Sequence, residues 1–492
     1  MAEQKRWAGL AGRSALKAAN NLGIVAKQLQ EAGSHKFRNN ELDVLDSYYE
    51  GRQYSGMTPW KQAMTPEGAY IPVRERAPLL QYNFAKVMCS RLASKIVGQR
   101  TFPLLKIEDD PDTEQLISMV IKSSRLKALI IEPTRRAINS GSCLVRFSIV
   151  NGQYKIEHYL SKWCYPQFDA NDNLVAVRIQ YVWEDKEDLD DRKLPKKKWF
   201  RMDLGQMVDV KYNTPDYNAS STDEPEFEVE KVVEHELGFV QATWIRTAKL
   251  RNETDGPSMI SDILGFIDEL NYSLSQSSQA VSYNQDPQLI LKGMDEEEVE
   301  NLIRSSQKGW NLGREGEASF LEAGMSGVEA ADNFRGDIRL NVQDIARVIM
   351  LDPEKIVGSA QSGKAMEVLH GPMVELVEEL RPSFEKAITE LVLKMTFALL
   401  IQSSRGAITA ITIPPGYKPK SLNIVAQWPE IFPKTMQDLR DKVSVAAQAS
   451  SASLISRETL TKWLAKDFDV ENIEEELAKI EAQPVLNPFG AF

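Results

Sequence analysis

The chain has 492 residues, of which 42% are hydrophobic and 26% charged, and this composition is typical of a globular protein. At about 100–200 residues per domain, the length allows two to four domains. Lys and Arg total 59 against 70 Asp and Glu, so the net charge is −11. This balance argues against tight, non-specific gripping of duplex DNA, but it does not exclude a protein past which DNA slides.

The cysteines and histidines show no sign of a metal site. Cys89, Cys143 and Cys164 form no C-x-x-C pair, which is typical of a reduced, intracellular chain without a zinc framework, and the four histidines have no ligand spacing. The N-terminus lacks a signal-peptide core, and the longest apolar run, 391–401, is too short to span a membrane. We expect no metal, no cofactor and no membrane partner, and no motif argues for an enzyme.

The first 140 residues are predicted to be mostly helical. Apolar residues at helical spacing predict helices over 41–54, 83–97, 113–129 and 132–140, with one strand at 103–109. In the first of them Leu42, Leu45 and Tyr49 share a face. Glycines are expected to end the first two helices, at Gly51 and Gly98.

From 143 to 250 the hydrophobic period changes to two, which predicts an antiparallel, β-rich domain. The tripeptides at 151–153 and 170–172 are hairpin turn signals. The basic run 191–201 lies between two strands. We interpret it as a hairpin tip in solvent, with a DNA or scaffold contact as the alternative.

Three long helices are predicted after residue 255. The first begins with Pro257 at its first position, carries an apolar stripe from Ile260 to Leu274, and continues to 285 as an uncharged, hydroxyl-rich segment. The second covers 327–350, with an apolar register made by Phe334, Ile338, Val342, Ile345 and Ile349. The third covers 364–404, where we expect kinks at Pro372 and Pro382. Strands at 408–414 and 421–428 follow, and helices from about 435 end the chain.

An acidic insert separates the first two long helices. We predict strands at 288–294 and 317–324 around a helix at 295–310, and 286–325 holds nine acidic and four basic residues. Carboxylates in the first helical turn suit the helix dipole, so a solvated face explains the insert as well as a protein-docking module does. The side chains of interest are Glu296, Glu297, Glu298, Glu300, Arg304 and Lys308.

The loop before the third helix resembles a phosphate-binding motif. GSAQSGK at 358–364 fits the first seven positions of a Walker A motif, but Ala365 replaces the hydroxyl that should bind Mg²⁺. The residues before it look helical, whereas a P-loop follows a strand. We therefore favour a flexible loop in which Ser362 caps the next helix.

The ordered set of segments resembles the portal proteins of tailed bacteriophages, in particular those with the SPP1-like fold. The stretches that carry the resemblance are YYEG at 48–51, NFAKVMCSRLASKIVGQ at 83–99, SGKAMEVL at 362–369 and the C-terminal run at 455–483. The chain ends nine residues after the last of them, so a long C-terminal helical barrel is not expected.

The resemblance implies an α+β portal fold with a β-rich and helical wing, a two-helix stem, a small α/β clip insert, a long kinked helix and a helical crown. The implied segments follow the chain: an N-terminal region and wing at 1–256, stem helices at 257–285 and 327–350, the clip at 286–326, a tunnel loop at 351–363, the long helix and wing strands at 364–430, and the crown at 431–492.

The resemblance also implies a function, namely a ring of usually twelve subunits at one capsid vertex through which double-stranded DNA passes. The clip would dock the terminase large subunit and later the head–tail adaptor, and the ring would meet major capsid and scaffolding proteins. Assembly would occur in the host cytoplasm, before the protein becomes part of the virion. DNA would meet tunnel-loop side chains, namely Lys355, Val357, Ser359, Gln361, Ser362 and Lys364. The alternatives are a nucleotide-driven packaging ATPase and a minor capsid protein.

Overall fold

A computed structural model describes most of the chain. The described residues are 34–107, 110–189, 193–218, 225–250, 253–285, 288–292, 317–321, 326–348, 370–405, 411, 413, 417, 419–421, 423–432, 436–452, 454–465 and 477–479. The chain divides into two compact units, 1–348 with 377–429 and 349–376 with 430–492. The predicted acidic helix at 295–310 and the loop at 351–363 lie outside the described residues, and so does most of the predicted strand at 408–414.

The N-terminal part of the first unit is helical, as predicted. Its helices and short strands are α1 Ser34–Glu50, β1 Thr58–Pro59, β2 Arg76–Ala77, α2 Phe84–Val97, β3 Leu104–Ile107, α3 Pro111–Ser123, α4 Leu126–Leu129 and α5 Ile131–Ser140. The single helix predicted over 113–129 is wrong, because Arg125 adopts a left-handed backbone (φ 53°) and separates α3 from α4. This turn places Leu126 in the core, where it is fully buried.

The end of α1 is held by short-range bonds that the sequence predicts. Gly51 has a φ of 70°, and the amide of Arg52 donates to the carbonyl of Ser47 at 2.7 Å, as in a Schellman motif. The next helix begins beside it, since Asn83 Oδ1 caps α2 by accepting from the Lys86 amide at 3.0 Å. Asn83 Nδ2 also donates to the Tyr49 carbonyl at 2.8 Å, so one side chain joins the two helix ends.

The region from 142 to 246 forms two antiparallel sheets, which confirms the predicted β-rich domain. The strands are β4 Ser142–Val150, β5 Gln153–Leu160, β6 Cys164–Phe168, β7 Leu174–Leu189, β8 Pro195–Gly205, β9 Val208–Tyr212, β10 Val229–Glu234 and β11 Ala242–Arg246. Their orders are β10-β9-β8-β7-β6 and β11-β4-β5. Apolar side chains from both sheets share one core, including Leu144, Ile179, Leu204 and Trp244.

The basic run is part of the hairpin between β7 and β8, as predicted. Lys198 Nζ lies 2.9 Å from Asp185 and 2.8 Å from Asp188, and Lys196 Nζ lies 3.0 Å from Asp188. These lysines are therefore neutralised by carboxylates of the neighbouring strand and do not form an open basic patch.

The first long helix begins later than predicted. The helix α6 is Leu264–Gln285, preceded by a 3₁₀ turn at Ser261–Ile263, so Pro257 is outside it. Residues around Pro257 instead dock onto the sheet domain, where the Thr247 hydroxyl donates to the Pro257 carbonyl at 2.7 Å. Gly256 is pressed against Gly141, whose φ of 80° and close backbone contact leave no room for a Cβ.

The other long elements follow in the predicted order. They are β12 Gln288–Lys292, β13 Glu317–Leu321, α7 Ser326–Ala346, α8 Gly371–Ser404 and β14 Ile424–Gln427, which pairs with β3. Pro382 lies inside α8, whereas Pro372 lies in its first turn, where a proline is tolerated, so the kink expected at Pro372 has no structural cause. α8 packs on the three-stranded sheet, with Tyr154 donating to the Met395 carbonyl at 3.1 Å.

The apolar register predicted for α7 is only partly correct. Ile338 and Val342 are buried, but Phe334 and Ile345 are exposed. The buried stripe instead includes Arg335, because its guanidinium finds hydrogen-bond acceptors on α6.

The second unit contains the C-terminal helices α9 Met436–Ser451 and α10 Arg457–Ala465. Lys442 joins them, because its ammonium group lies 4.8 Å from the centre of the Trp463 ring and donates to the Trp463 carbonyl at 2.9 Å. The helices predicted from about 435 are thus present.

A half-buried arginine connects two helices of the first unit. Arg136 on α5 reaches Asp46 at 3.1 Å and Glu50 at 2.6 Å, both on α1, and Glu132 at 3.1 Å on its own helix. Its guanidinium also lies 4.3 Å from the centre of the Tyr49 ring. Glu132 also pairs with Arg135, and Asp46 also pairs with Lys162. Removal of Arg136 therefore leaves the partly buried Glu50 without this cation and takes one partner from each of the other two carboxylates.

We expect Arg136→Ala to lower the free energy of unfolding by about 3–5 kcal/mol, the cost of breaking a buried ion pair from one side. The only ion pair of the neighbouring Arg135 among the described residues is with Glu132, so Arg135→Ala is the matched control and should cost about 1 kcal/mol or less. Urea unfolding followed by tryptophan fluorescence measures both. Equal losses for the two variants would contradict the network's importance.

Candidate functional site

The predicted site residues lie in two segments outside the described residues. Glu296, Glu297, Glu298, Glu300, Arg304 and Lys308 belong to one, and Lys355, Val357, Ser359, Gln361, Ser362 and Lys364 belong to the other. The structure does describe the pair of helices, α6 and α7, that carries the first segment. These helices therefore define the candidate functional site.

Near its first residues, one side of α6 is hydrogen-bonded to α1 and to residues 51–86, which we call the N-terminal segment. Asp268 accepts hydrogen bonds from the hydroxyls of Tyr48, at 2.5 Å, and Tyr54, at 2.6 Å. Burial and the hydrogen bond to this carboxylate raise the pKa of both tyrosines above the ordinary value, so both remain donors at neutral pH.

The middle of the same side of α6 satisfies backbone groups of the N-terminal segment. Asn271 Oδ1 accepts from the Tyr82 amide at 2.8 Å, and Ser275 Oγ accepts from the Leu80 amide at 3.0 Å. Asn271 Nδ2 also donates to the hydroxyl of Tyr54 at 3.1 Å. Because Asn271 and Ser275 are fully buried, these bonds fix the path of the segment across the helix.

Aromatic side chains complete this side of α6. Tyr54, Trp60 and Tyr272 form one buried cluster. The Tyr272 hydroxyl lies 3.0 Å from the carbonyls of Arg74 and Arg76, and the Trp60 indole donates to Gln279 at 3.1 Å. The aromatic rings supply the apolar area that the short polar side chains of α6 lack.

The opposite side of α6 packs on α7 through one arginine. Arg335 Nη1 lies 2.6 Å from the hydroxyl oxygen of Ser277, and Nη2 lies 3.0 Å from Asp332. The Arg335 side chain is mostly buried, and its guanidinium lies between the Ser277 hydroxyl of α6 and the Asp332 carboxylate of its own helix.

A two-stranded ribbon continues the helix pair. β12 and β13 pair antiparallel from Gln288↔Leu321 to Lys292↔Glu317, which confirms that strands frame the acidic insert. Lys292 Nζ and the Glu317 carboxylate lie 3.2 Å apart in the last described pair. Lys292 and Glu317, which flank the insert in sequence, are therefore held side by side.

The helix pair offers few groups that could bind a phosphate chain. From 270 to 285 α6 has no charged residue. α7 has four acidic residues and two arginines between 326 and 346, and Arg335 is engaged as described above. Side chains of this kind can make polar contacts with a phosphate chain, but they do not supply the multiple cation–phosphate contacts that give salt-dependent affinity.

Sequence reasoning identified α6 as a hydroxyl-rich helix but missed Asp268, Asn271 and Ser275 as the residues that hold it. A signal was present, since Asn271, Ser275 and Gln279 recur at intervals of four and share a face. Polar residues at that interval indicate a helix that docks through hydrogen bonds.

No group of three or more His, Cys, Asp or Glu side chains among the described residues is arranged to hold a metal ion. Within the same residues, no helix is both long enough and apolar enough to cross a membrane.

Comparison with known families identifies the class of the protein. The family model described as "Phage portal protein, SPP1 Gp6-like" matches residues 33–484, nearly the whole chain. The chain belongs to this family of phage portal proteins, which confirms the resemblance found in the sequence. It is a portal protein of a capsid vertex. No curated protein gives a significant match.

Several solved structures are similar at low identity. A chain of the virion of a native gene transfer agent particle has a TM-score of 0.43 and 10% identity, covering 77% of this chain and 89% of that one. A chain of the neck of the native particle, computed with C12 symmetry, has a TM-score of 0.41 and 10% identity, covering 79% and 95%. A chain of the neck of the empty particle, computed with C6 symmetry, has 0.39 and 10%, covering 77% and 88%.

The anchoring of α6 is testable at two adjacent positions. We expect Asp268→Ala to lower the free energy of unfolding by about 3 kcal/mol, because two buried tyrosine hydroxyls lose a charged acceptor. In the part of the chain that the structure describes, Glu269 pairs only with the exposed Arg74, so Glu269→Ala should cost about 1 kcal/mol or less. Guanidinium unfolding curves compare them, and an Asp268→Ala variant as stable as the Glu269→Ala control would refute this role of Asp268.

Proposed function

We propose that copies of this chain form a closed ring, which the family resemblance puts at twelve subunits, around a channel for double-stranded DNA. The helix pair α6 and α7 forms the channel stem, and DNA passes it during packaging and ejection. The observation that carries this proposal is the long uncharged stretch of α6, from 270 to 285, in a chain of net charge −11.

The physical reason for an uncharged wall is that the channel must not bind the moving duplex tightly. Each Lys or Arg that contacts a phosphate adds affinity, and a ring would multiply every contact by the number of subunits. Hydroxyl and amide side chains contact the duplex without trapping it, and negative charge repeated around a ring repels the backbone toward the axis. The subunit therefore contributes to the wall of the channel, and we assign it no catalytic step.

The tunnel loop 351–363 is proposed to contact the moving duplex at the inner end of the stem. Its cation Lys355 and the adjacent Lys364 would provide a few weak contacts, and Val357, Ser359, Gln361 and Ser362 would provide neutral ones. Two lysines per subunit are enough to sense the backbone but too few to hold it against a motor.

The acidic insert is proposed as the docking site for the terminase large subunit during packaging and for the head–tail adaptor afterwards. The ribbon of β12 and β13 supports this role, because it holds the residues on either side of the insert next to each other at the end of the helix pair. Major capsid and scaffolding proteins would meet the ring during assembly in the host cytoplasm, and the finished ring would remain in the virion.

The ring and the absence of catalysis can be tested on the purified protein. We expect negative-stain images to show rings with a central hole, and we expect no ATP hydrolysis, since Ala365 stands where a Walker A motif needs a hydroxyl. Hydrolysis that depends on Lys364 would favour a packaging ATPase. Particles without a central hole would favour a minor capsid protein.

Two sets of variants separate docking from DNA contact, and each is the control for the other. Reversing the charge of Glu296, Glu297 and Glu298 to Lys should weaken terminase binding in a pull-down and leave ring formation intact. Replacing Lys355 and Lys364 by Ala should change the length of packaged DNA and leave terminase binding intact. Normal terminase docking by the first set would refute the docking role of the insert. An unchanged length of packaged DNA with the second set would refute the DNA contact of the tunnel loop.

A further inference from the structure

The N-terminal segment 51–86 and the helix α7 lie on opposite sides of α6. Asn271 and Ser275 bond to the segment, whereas Ser277 bonds to Arg335 of α7. Residues two apart on a helix point about 160° away from each other, so Ser275 and Ser277 face in nearly opposite directions. The helix α6 therefore lies between the segment 51–86 and α7. Each of these two elements has an outer side that is turned away from α6.

The first surface, which we name the loop face, is the outer side of 51–86. Tyr70 is 63% exposed there, although it is a large aromatic residue. Four more large apolar side chains of the segment are exposed, namely Met64, Leu79, Leu80 and Tyr82. The exposed charged residues of the segment are four basic and two acidic ones, which give this face a net charge of +2.

The second surface, which we name the helix face, is the side of α7 turned away from α6. Leu340 is 61% exposed and lies about 160° around the helix from the buried Ile338 and Val342. Asp337 and Asp344 lie between Leu340 and the exposed Phe334 on the helical wheel. The four acidic and two basic residues from 326 to 346 give α7 a net charge of −2.

We propose that the loop face of one subunit docks on the helix face of the next copy of the same chain. Both faces expose large apolar side chains, which is uncommon on a surface that stays in water. Their net charges are opposite, which favours this pairing and opposes contacts between two loop faces or two helix faces. The proposal rests on the ring proposed above.

The placement of the two faces explains why the contact closes into a ring. Two different surfaces that meet from copy to copy make a heterologous interface, and such an interface generates rings when the rotation closes. Because the faces lie on opposite sides of α6, each subunit can bind one neighbour through each face at the same time. The polar bonds of α6 then have a second role, since they hold the loop face at a fixed position relative to the helix face.

Engineered cysteines test this contact with little background, because the native Cys89, Cys143 and Cys164 are buried. We expect the double variant Tyr70→Cys with Leu340→Cys, treated with a short bis-maleimide, to give a ladder of covalent oligomers on denaturing gels. A mixture of the two single variants, dissociated and reassembled, should give covalent dimers and nothing larger. Each single variant alone should remain monomeric. The pair Leu80→Cys with Asp344→Cys repeats the test at independent positions, because the exposed Asp344 lies about 40° from Leu340 around α7.

The matched control joins the helix face to an exposed apolar residue outside both faces. Met119 on α3 is exposed, so Met119→Cys with Leu340→Cys should give no ladder. Dimers from a single variant alone would show a contact of like faces and would overturn the proposal. A ladder from the control as strong as that from the double variant would overturn it as well.

The outcome separates this inference from the proposed function. If the double variants form rings in negative stain but neither pair crosslinks, the assignment of the faces is wrong and the ring stands. If the unmodified protein forms no ring at any concentration tested, the proposed function itself fails. Crosslinked ladders together with rings support both.

Discussion

The second half of α6 consists mostly of small polar residues and has little apolar surface for packing, and this constraint shapes the first unit. α6 is held instead by hydrogen bonds on both sides. Asp268, Asn271 and Ser275 bind the N-terminal segment, and Ser277 binds Arg335 of α7. Each buried group has a partner, so the helix remains ordered without presenting either apolar or charged surface along most of its length. The positions of the acidic insert and of both exposed faces depend on these bonds.

The charged groups follow a related rule, because several prominent cations are neutralised within the chain. Arg136 is held by carboxylates of α1 and α5, Lys198 by those of β7, and Arg335 by Asp332. A cation committed to an internal carboxylate contributes little to phosphate binding. In a chain of net charge −11, ion pairs of this kind reduce further the positive charge available to phosphates, as the proposed DNA channel requires.

The predictions that were confirmed depend on contacts between residues close in sequence. The end of α1 at Gly51 needs only the amides and carbonyls of one helical turn, and the start of α2 needs only Asn83 and Lys86. The hairpin of β7 and β8 follows from period-two patterning and a turn. In each case the stabilising partners are a few residues apart or in the neighbouring strand, so the local pattern contains enough information.

The predictions that were wrong depend on distant partners. Pro257 looked like a helix start, but the chain there docks on Thr247 and Gly141. Phe334 was predicted to lie in the apolar register of α7 but is exposed, whereas the neighbouring Arg335 is mostly buried because it finds an acceptor on α6. Helical periodicity groups side chains by face, but it does not say which face a neighbour will cover.

The sequence by itself determined the order of the elements, their periodicity, the local caps and the family, because these follow from short-range geometry and from motifs in a fixed order. The tertiary structure alone decided that α6 is sandwiched between the N-terminal segment and α7, and which surfaces remain free. The physical reason is that a buried polar side chain such as Asn271 is stable only beside its partner, and that partner, the Tyr82 amide, lies 189 residues earlier in the chain.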